Sequence, residues 1–143
     1  MVVVTGGAGL IGSILIRKLN ELGERDILIV DHLGKSEKWK KMVPLKYFDY
    51  LDRRQFIESL EAGKFTNVDT IFHFGACSEM TSQDTDYLME NNYRYTLRIA
   101  EWAINHPECK MIYASSAATY GPGECGYTDD EELLEDLTPL NIY

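Results

Sequence analysis

The stretch of sequence that decides the fold is Val2-Val3-Val4-Thr5-Gly6-Gly7-Ala8-Gly9-Leu10-Ile11-Gly12. It opens with an apolar run typical of a buried strand, and the glycines that follow at once permit a tight turn. Behind the turn, leucine and isoleucine residues recur at helical spacing up to Leu22, and Gly23 supplies a stop. The pattern predicts a strand, a glycine-rich turn and a helix over residues 10–22.

The same alternation continues along the chain. Further strands are predicted at 27–30, 70–72 and 111–113, with a weaker candidate at 45–48. The runs are continuous, as expected of strands buried on both faces. Helical patterns occupy residues 53–60 and 87–105. Because strands alternate with helices, we predict an α/β protein with a doubly wound parallel sheet.

Size, composition and charge narrow the class of protein. The chain has 143 residues, enough for one domain, and its 45% hydrophobic and 26% charged residues are typical of a globular protein. A formal net charge of −9 argues against general binding to nucleic acid or to an anionic membrane. Three cysteines without a CxxC pair, and no apolar run of membrane-spanning or signal-peptide type, favour a soluble protein of the cytoplasm.

The glycine-rich turn carries the first functional prediction. Its glycines, Gly6, Gly9 and Gly12, let the backbone approach a pyrophosphate, and the following helix offers N–H groups and a positive dipole end. Asp31 ends the second strand about 20 residues further on, where a carboxylate can accept hydrogen bonds from an adenosine ribose. We therefore predict a dinucleotide-binding site.

The residues alone leave the choice between NAD and NADP open. Asp31 favours NAD, because its charge would repel a 2′-phosphate. The lysines between residues 35 and 41, with Arg53 and Arg54, could instead receive that phosphate. For most of these lysines, a solvated surface loop is the simpler interpretation.

Three further segments attract attention. The run 74–78 follows a strand that ends at His73, and its small residues would let the backbone pass beside a dinucleotide. The four-residue spacing of His73 and Cys77 leads into a glycine turn and lacks ligand geometry, so we predict packing roles and no metal site. The hydroxyl-rich segment 115–121 could bond a substrate oxygen, although a hydrogen-bonded turn is the simpler interpretation. We interpret the acidic run 129–136 as a solvated face.

Taken together, these motifs resemble the extended short-chain dehydrogenase/reductase family of nucleotide-sugar enzymes. The resemblance rests on residues 5–12, Asp31, the run 74–78, Asn91-Asn92-Tyr93 and the run 115–121, and it extends over essentially the whole chain. It is strongest to epimerases of nucleotide-activated heptoses. It implies an NAD(P)-binding Rossmann domain over residues 1–143, ADP-heptose as the substrate, lipopolysaccharide heptose synthesis as the setting, and a homo-oligomer in the full-length enzyme.

The resemblance also assigns cofactor contacts. Leu10 and Ile11 would line the pyrophosphate turn, Asp31 and His32 would face the adenosine ribose, and two basic residues favour NADP, with NAD still possible. The chain departs from the family at His32, where Asn is more frequent, and at Phe74, where the heptose epimerases usually have Glu. The remaining implied contacts are the basic Lys38 and Arg53, then Phe74, Gly75, Ala76, Cys77, Ser78 and Asn91, with Asn92 as the neighbouring alternative to Asn91.

For catalysis, the resemblance implies that Ser116 polarises the reacting sugar oxygen and that Tyr143 removes a proton while hydride passes to the nicotinamide. The transient ketone is then reduced from its other face, which inverts the carbon. The lysine of the family's YxxxK motif would lie four residues beyond Tyr143. We therefore expect a domain that is truncated before its substrate-binding region, and no turnover by the isolated chain.

Two alternatives stay open at this point. A UDP-sugar 4-epimerase or a 4,6-dehydratase would use the same fold, but a dehydratase should have an acidic pair where Ala117 and Ala118 follow Ser116. A non-catalytic dinucleotide-binding or partner-docking module is the alternative from another class.

Overall fold

The structure, a computed structural model, describes residues 1–78 and 84–141. Its strands are β1 (Val2–Thr5), β2 (Ile27–Asp31), β3 (Asp49–Asp52), β4 (Thr70–His73) and β5 (Lys110–Tyr113). The helices are α1 (Leu10–Glu21), α2 (Arg53–Glu61), α3 (Thr85–Leu88), a π-helical segment (Met89–Arg94) and α4 (Tyr95–Ile104). Short 3-10 helices lie at Glu37–Lys41, Ala117–Tyr120 and Glu131–Asp136.

The strands form one parallel sheet in the order β3-β2-β1-β4-β5. The chain runs from β1 to one edge and then returns to the other side of β1, so the strand order reverses between β1 and β4. This reversal is the switch point at which open α/β sheets bind ligands. The predicted doubly wound fold is confirmed.

Helices cover both faces of the sheet. On one face, α2 and α4 pack against alternate residues of the central strands, among them Val3 and Val30. On the other face, Ile16 of α1 packs against Val4 and Ile29. Because neighbouring residues of β1 and β2 enter opposite cores, both strands have to be apolar throughout, which explains their continuous runs.

The edge strands differ from the sequence prediction. The weak candidate at 45–48 is wrong, because Leu45 is buried in the loop before the strand, Phe48 is 72% exposed and pairing begins only at Asp49. Full burial is also wrong for β5, where Ile112 and Tyr113 are 42% and 53% exposed. Both strands lie at edges of the described sheet, where one neighbouring strand is missing and burial is incomplete.

The helix predicted over 87–105 is present but composite. It begins at Thr85, where the Asp84 side chain accepts a hydrogen bond from the Tyr87 N–H, and it ends at Ile104. Between α3 and α4 the hydrogen bonding changes to the wider π-helical turn of Met89–Arg94. Such turns are uncommon and are frequent at functional sites.

A buried histidine joins the two central strands to α4. The Thr5 hydroxyl accepts hydrogen bonds from the N–H groups of Phe74 and Gly75, at 3.1 and 3.0 Å. Its own proton is therefore donated to His73 Nδ1, 2.6 Å away, which leaves Nε2 to donate to the Thr96 hydroxyl at 2.8 Å. Burial lowers the pKa of His73 to about 4, so the ring is neutral at pH 7.

This neutral ring should make stability depend on pH. The unfolded chain protonates His73 near pH 6.5 and the folded chain only near pH 4, so unfolding becomes easier as the pH falls through this window. His73→Gln should remove up to about 3 kcal/mol of that pH dependence. Urea unfolding of the wild type and of His73→Gln between pH 7 and pH 4 measures this difference. The same pH dependence of the free energy of unfolding in both proteins would contradict a buried neutral His73.

Candidate functional site

A cleft of about 420 Å³ opens at the carboxyl ends of β1, β2 and β4. It lies at the switch point of the sheet, between the start of α1 and the π-helical segment. All residues predicted to contact a cofactor line this cleft, with the exception of Cys77. The sequence therefore located the cleft correctly.

The glycine-rich turn forms the floor of the cleft because it has no side chains. Gly6 has a φ of +67°, and a Cβ there would lie 2.9 Å from the Gly75 nitrogen. A Cβ on Gly12 would lie 2.4 Å from the Gly6 carbonyl oxygen. Both separations are too short for real atoms, so the close approach of turn, helix and neighbouring strand requires glycine at both positions.

The start of α1 faces the cleft without a capping side chain. Gly9 occupies the N-cap position and provides no side-chain hydrogen bond, and the first turn contains no acidic residue. The first N–H groups of the helix, at Leu10 and beyond, therefore remain available and carry the positive end of the helix dipole. This local field attracts an anion to a protein whose net charge is negative.

Asp31 lies at the end of β2 and is 7% exposed. One carboxylate oxygen accepts the Ala8 N–H at 3.0 Å, and the other accepts the His32 N–H at 2.7 Å and the Lys38 ammonium at 2.9 Å. These contacts fix the orientation of the carboxylate and tie the glycine-rich turn to β2. The contact with Lys38 also places a positive charge directly beside the Asp31 carboxylate.

Two further basic groups border the same end of the cleft. Arg53, the first residue of α2, stacks over the Tyr87 ring at 5.5 Å. His32 Nδ1 lies 3.1 Å from Asp52 Oδ2. Burial opposes ionisation of Asp52, but hydrogen bonds from the Arg54 N–H and His32 outweigh it and lower the pKa of Asp52.

The run 74–78 forms the opposite wall together with Asn91, which is 8% exposed. Cys77 does not line the cleft, and its predicted contact position is not supported by the geometry. Its backbone is instead paired with the side chain of Asn92. The cofactor contact of Cys77 stays a prediction, since a run of small residues gives no indication of which of them turns away from the cleft.

Of the two predicted catalytic residues, the structure describes Ser116, which does not line the cleft. Ser116 follows β5 at the same edge of the sheet, where its hydroxyl accepts the Ala118 N–H at 3.1 Å and caps a 3-10 helix. Tyr143 lies outside the described residues. The catalytic assignment therefore stays a prediction.

Sequence reasoning missed four cleft residues: Thr5, Val30, Tyr87 and Tyr95. Tyr95 is 8% exposed, and within the described residues its hydroxyl has no hydrogen-bond partner. Burial raises the pKa of this phenol, so it stays protonated. An aromatic residue at helical spacing is read as core from the sequence, and only the fold shows that it also borders the cleft.

In residues 1–78 and 84–141, no group of three or more His, Cys, Asp or Glu side chains is arranged to hold a metal ion. No helix in this described part combines the length and apolar character of a membrane span.

Comparison with known proteins identifies the family. A model of the NAD dependent epimerase/dehydratase family matches residues 2–143. The chain belongs to this family. The Rossmann-like sheet described above, with its glycine-rich turn and cleft, agrees with membership of this family.

Individual relatives are similar over the whole chain. An ADP-L-glycero-D-manno-heptose-6-epimerase of Nitratidesulfovibrio vulgaris is 47% identical over 144 residues, which are 100% of this chain and 44% of that protein. The crystal structure of the same enzyme from Helicobacter pylori has a TM-score of 0.79 and 26% identity, covering 99% of this chain and 46% of its own.

A third relative is a dTDP-glucose 4,6-dehydratase of Bacillus anthracis in complex with NAD. Its structure has a TM-score of 0.73 and 26% identity, covering 96% of this chain and 43% of its own. The chain thus spans less than half the length of each of these relatives.

Gly12→Ala tests the close approach in the cleft floor. Alanine is about 1 kcal/mol better than glycine inside a helix. The 2.4 Å contact with the Gly6 oxygen should nevertheless reverse the sign and lower the free energy of unfolding by about 1–3 kcal/mol. Arg17→Ala, at an exposed position of α1, is the matched control and should change stability by less than about 0.5 kcal/mol. Urea unfolding measures both, and a more stable Gly12→Ala protein would contradict the geometry.

Proposed function

We propose that residues 1–143 are the incomplete NAD(P)-binding Rossmann domain of a nucleotide-sugar epimerase whose substrate is ADP-heptose. The observation that carries the dinucleotide part is the cleft in which the glycine-rich turn, the uncapped start of α1 and Asp31 converge. The 47% identity to a heptose epimerase over the full chain supports the substrate. The substrate-binding region lies outside these residues.

The described cleft fits a nicotinamide dinucleotide. The floor is packed so closely that Gly6 and Gly12 have no room for a Cβ. The N–H groups at Leu10 and Ile11, at the uncapped start of α1, would bind the oxygens of a pyrophosphate. Asp31 and His32 would lie beside the adenosine ribose. The run 74–78 and Asn91 would lie along the other half of the dinucleotide, which when bound would supply reversible hydride acceptance.

NADP is the proposed cofactor in preference to NAD. Lys38 is already paired with Asp31 at 2.9 Å, so the repulsion that this carboxylate would exert on a 2′-phosphate is largely neutralised. Arg53 borders the same end of the cleft and offers a second cation. Both side chains could donate to a phosphate once it is bound.

The catalytic part of the proposal uses two residues beyond β5. Tyr143 would remove the proton from the reacting hydroxyl, and Ser116 would bond the sugar oxygen and hold it at the carboxyl edge of the sheet. A phenol with a pKa near 10 needs a nearby positive charge to act as a base at pH 7. The family's lysine would provide it, so the 143-residue chain alone should not turn over.

The cellular part of the proposal is that the full-length enzyme acts in the cytoplasm, as a homo-oligomer, in lipopolysaccharide heptose synthesis. Cys77, Cys109 and Cys125 are free thiols, which supports a reducing compartment. The oligomeric state and the pathway rest on the family resemblance.

Lys38→Ala tests the choice of cofactor. The variant lacks the ammonium group that would donate a hydrogen bond to the 2′-phosphate, and it leaves the negative charge of Asp31 without its partner. The NADP dissociation constant should therefore rise about tenfold or more. The NAD dissociation constant should change by less than about threefold. Lys40→Ala, which removes an exposed pair with Glu37 and a contact with the Trp39 ring, is the control. Calorimetric titration of the wild type and both variants with NADP and with NAD measures the six dissociation constants. Equal losses of affinity for both dinucleotides in Lys38→Ala would contradict the NADP assignment.

The epimerase assignment is tested in the protein that carries this chain. Incubated with ADP-heptose, it should invert carbon 6 with no loss of water and no net consumption of dinucleotide, as followed by NMR. Tyr143→Phe should lower kcat by about 10²-fold or more at unchanged dinucleotide affinity. Tyr127→Phe, at a residue 76% exposed, should keep wild-type activity. Dehydration of the sugar, or turnover only of a UDP-sugar, would overturn the substrate assignment.

A further inference from the structure

Asn92 pairs with the backbone of the cleft wall. Its side-chain oxygen accepts the Cys77 N–H at 2.8 Å, and its side-chain nitrogen donates to the Cys77 carbonyl oxygen at 2.9 Å. The amide thus uses both of its ends on one residue of the run 74–78. We infer that Asn92 is a positioning residue, which holds this run and the neighbouring Asn91 in the conformation that receives the dinucleotide.

The pairing fixes the orientation of two amides without ambiguity. A backbone N–H can only donate and a backbone carbonyl can only accept, so the oxygen and nitrogen of Asn92 cannot be exchanged. Asn91 lies 2.8 Å from the same Asn92 oxygen and must therefore present its nitrogen to it. The Asn91 oxygen is left as the acceptor of a side chain that lines the cleft, and an acceptor suits a ligand hydroxyl or amide N–H.

The π-helical segment explains how consecutive residues share this task. Its i→i+5 hydrogen bonds put more residues into one turn than an α-helix has, so neighbouring side chains diverge by a smaller angle. The amides of Asn91 and Asn92 can then point to the same side and bond each other. In a regular α-helix, consecutive side chains diverge too far for both to face one wall.

The run 74–78 is thereby held at two points. The Thr5 hydroxyl accepts the N–H groups of Phe74 and Gly75 at its start, and Asn92 holds Cys77 near its end. The start of the run is bonded to Thr5 of the central strand β1, whereas its end is held by the side chain of Asn92, which is half-buried. The positioning role rests on the proposed dinucleotide function, because it concerns the wall against which that ligand would lie.

Asn92→Ala is the variant that tests the role. Loss of both bonds should accelerate amide hydrogen exchange at Cys77 by about tenfold or more, and should raise the dissociation constant of the tighter-binding dinucleotide, NADP or NAD, about tenfold. The dissociation constant of ADP should stay within about twofold. ADP carries only the half that would lie beside Asp31, after β2, whereas the held run follows β4 on the other side of β1.

Two further variants keep the test decisive. Asn92→Asp can still accept the Cys77 N–H but opposes the Cys77 carbonyl with a negative charge, so exchange should stay slow while dinucleotide affinity falls. Asn105→Ala removes an exposed side chain at the end of α4 that donates to the Glu101 carbonyl oxygen. It should leave the exchange rate at Cys77 and the dissociation constants of the dinucleotide and of ADP unchanged.

The outcomes separate the two proposals. Unchanged exchange at Cys77, unchanged dinucleotide affinity or an equal loss of ADP affinity in Asn92→Ala would overturn the positioning role and leave the proposed function intact. Failure of the wild-type chain to bind any dinucleotide would overturn the proposed function and the positioning role with it.

Discussion

The close contact between the glycine-rich turn and the start of the run 74–78 is the constraint on which the rest of the site depends. A Cβ on Gly6 would collide with the Gly75 nitrogen at 2.9 Å, and one on Gly12 would collide with the Gly6 carbonyl oxygen at 2.4 Å. Gly75 is packed almost as tightly, because a Cβ there would lie 3.0 Å from the Gly6 nitrogen. This contact brings the carboxyl ends of β1 and β4 together and leaves the start of α1 open. The cleft exists because side chains are absent here, and its walls are then set by polar contacts.

Local fields, and not the overall charge, determine what the cleft can hold. The chain carries a net charge of −9, yet the start of α1, Lys38 and Arg53 all face one end of the cleft. The acidic run 129–136 is exposed at all positions except Leu133, which agrees with its interpretation as a solvated face. At physiological ionic strength, charges separated by more than about 8 Å are largely screened. Nearby partial charges therefore dominate.

The sequence predicted the sheet and most of the cleft, because apolar runs and glycines report on backbone geometry directly. It misplaced β3 because Leu45 fills the core from a loop and Phe48 is apolar but exposed, while the strand itself, Asp49–Asp52, is half polar. It missed Tyr95 and could not separate Cys77 from its neighbours. Those positions are set by how the π-helical segment packs against the run 74–78, and no local pattern encodes that contact.

The hydrogen-bond chain through His73 has a consequence for how sequences in this family can diverge. Thr5, His73 and Thr96 come from three elements, and each satisfies a polar group that another would otherwise leave buried and unpaired. An apolar replacement at one of them leaves the buried polar groups of the others without a hydrogen-bond partner. This should lower the free energy of unfolding by about 1–3 kcal/mol. Substitutions at these three positions should therefore be tolerated mainly when they occur together. The three residues should covary among related sequences, although they lie far apart in the chain.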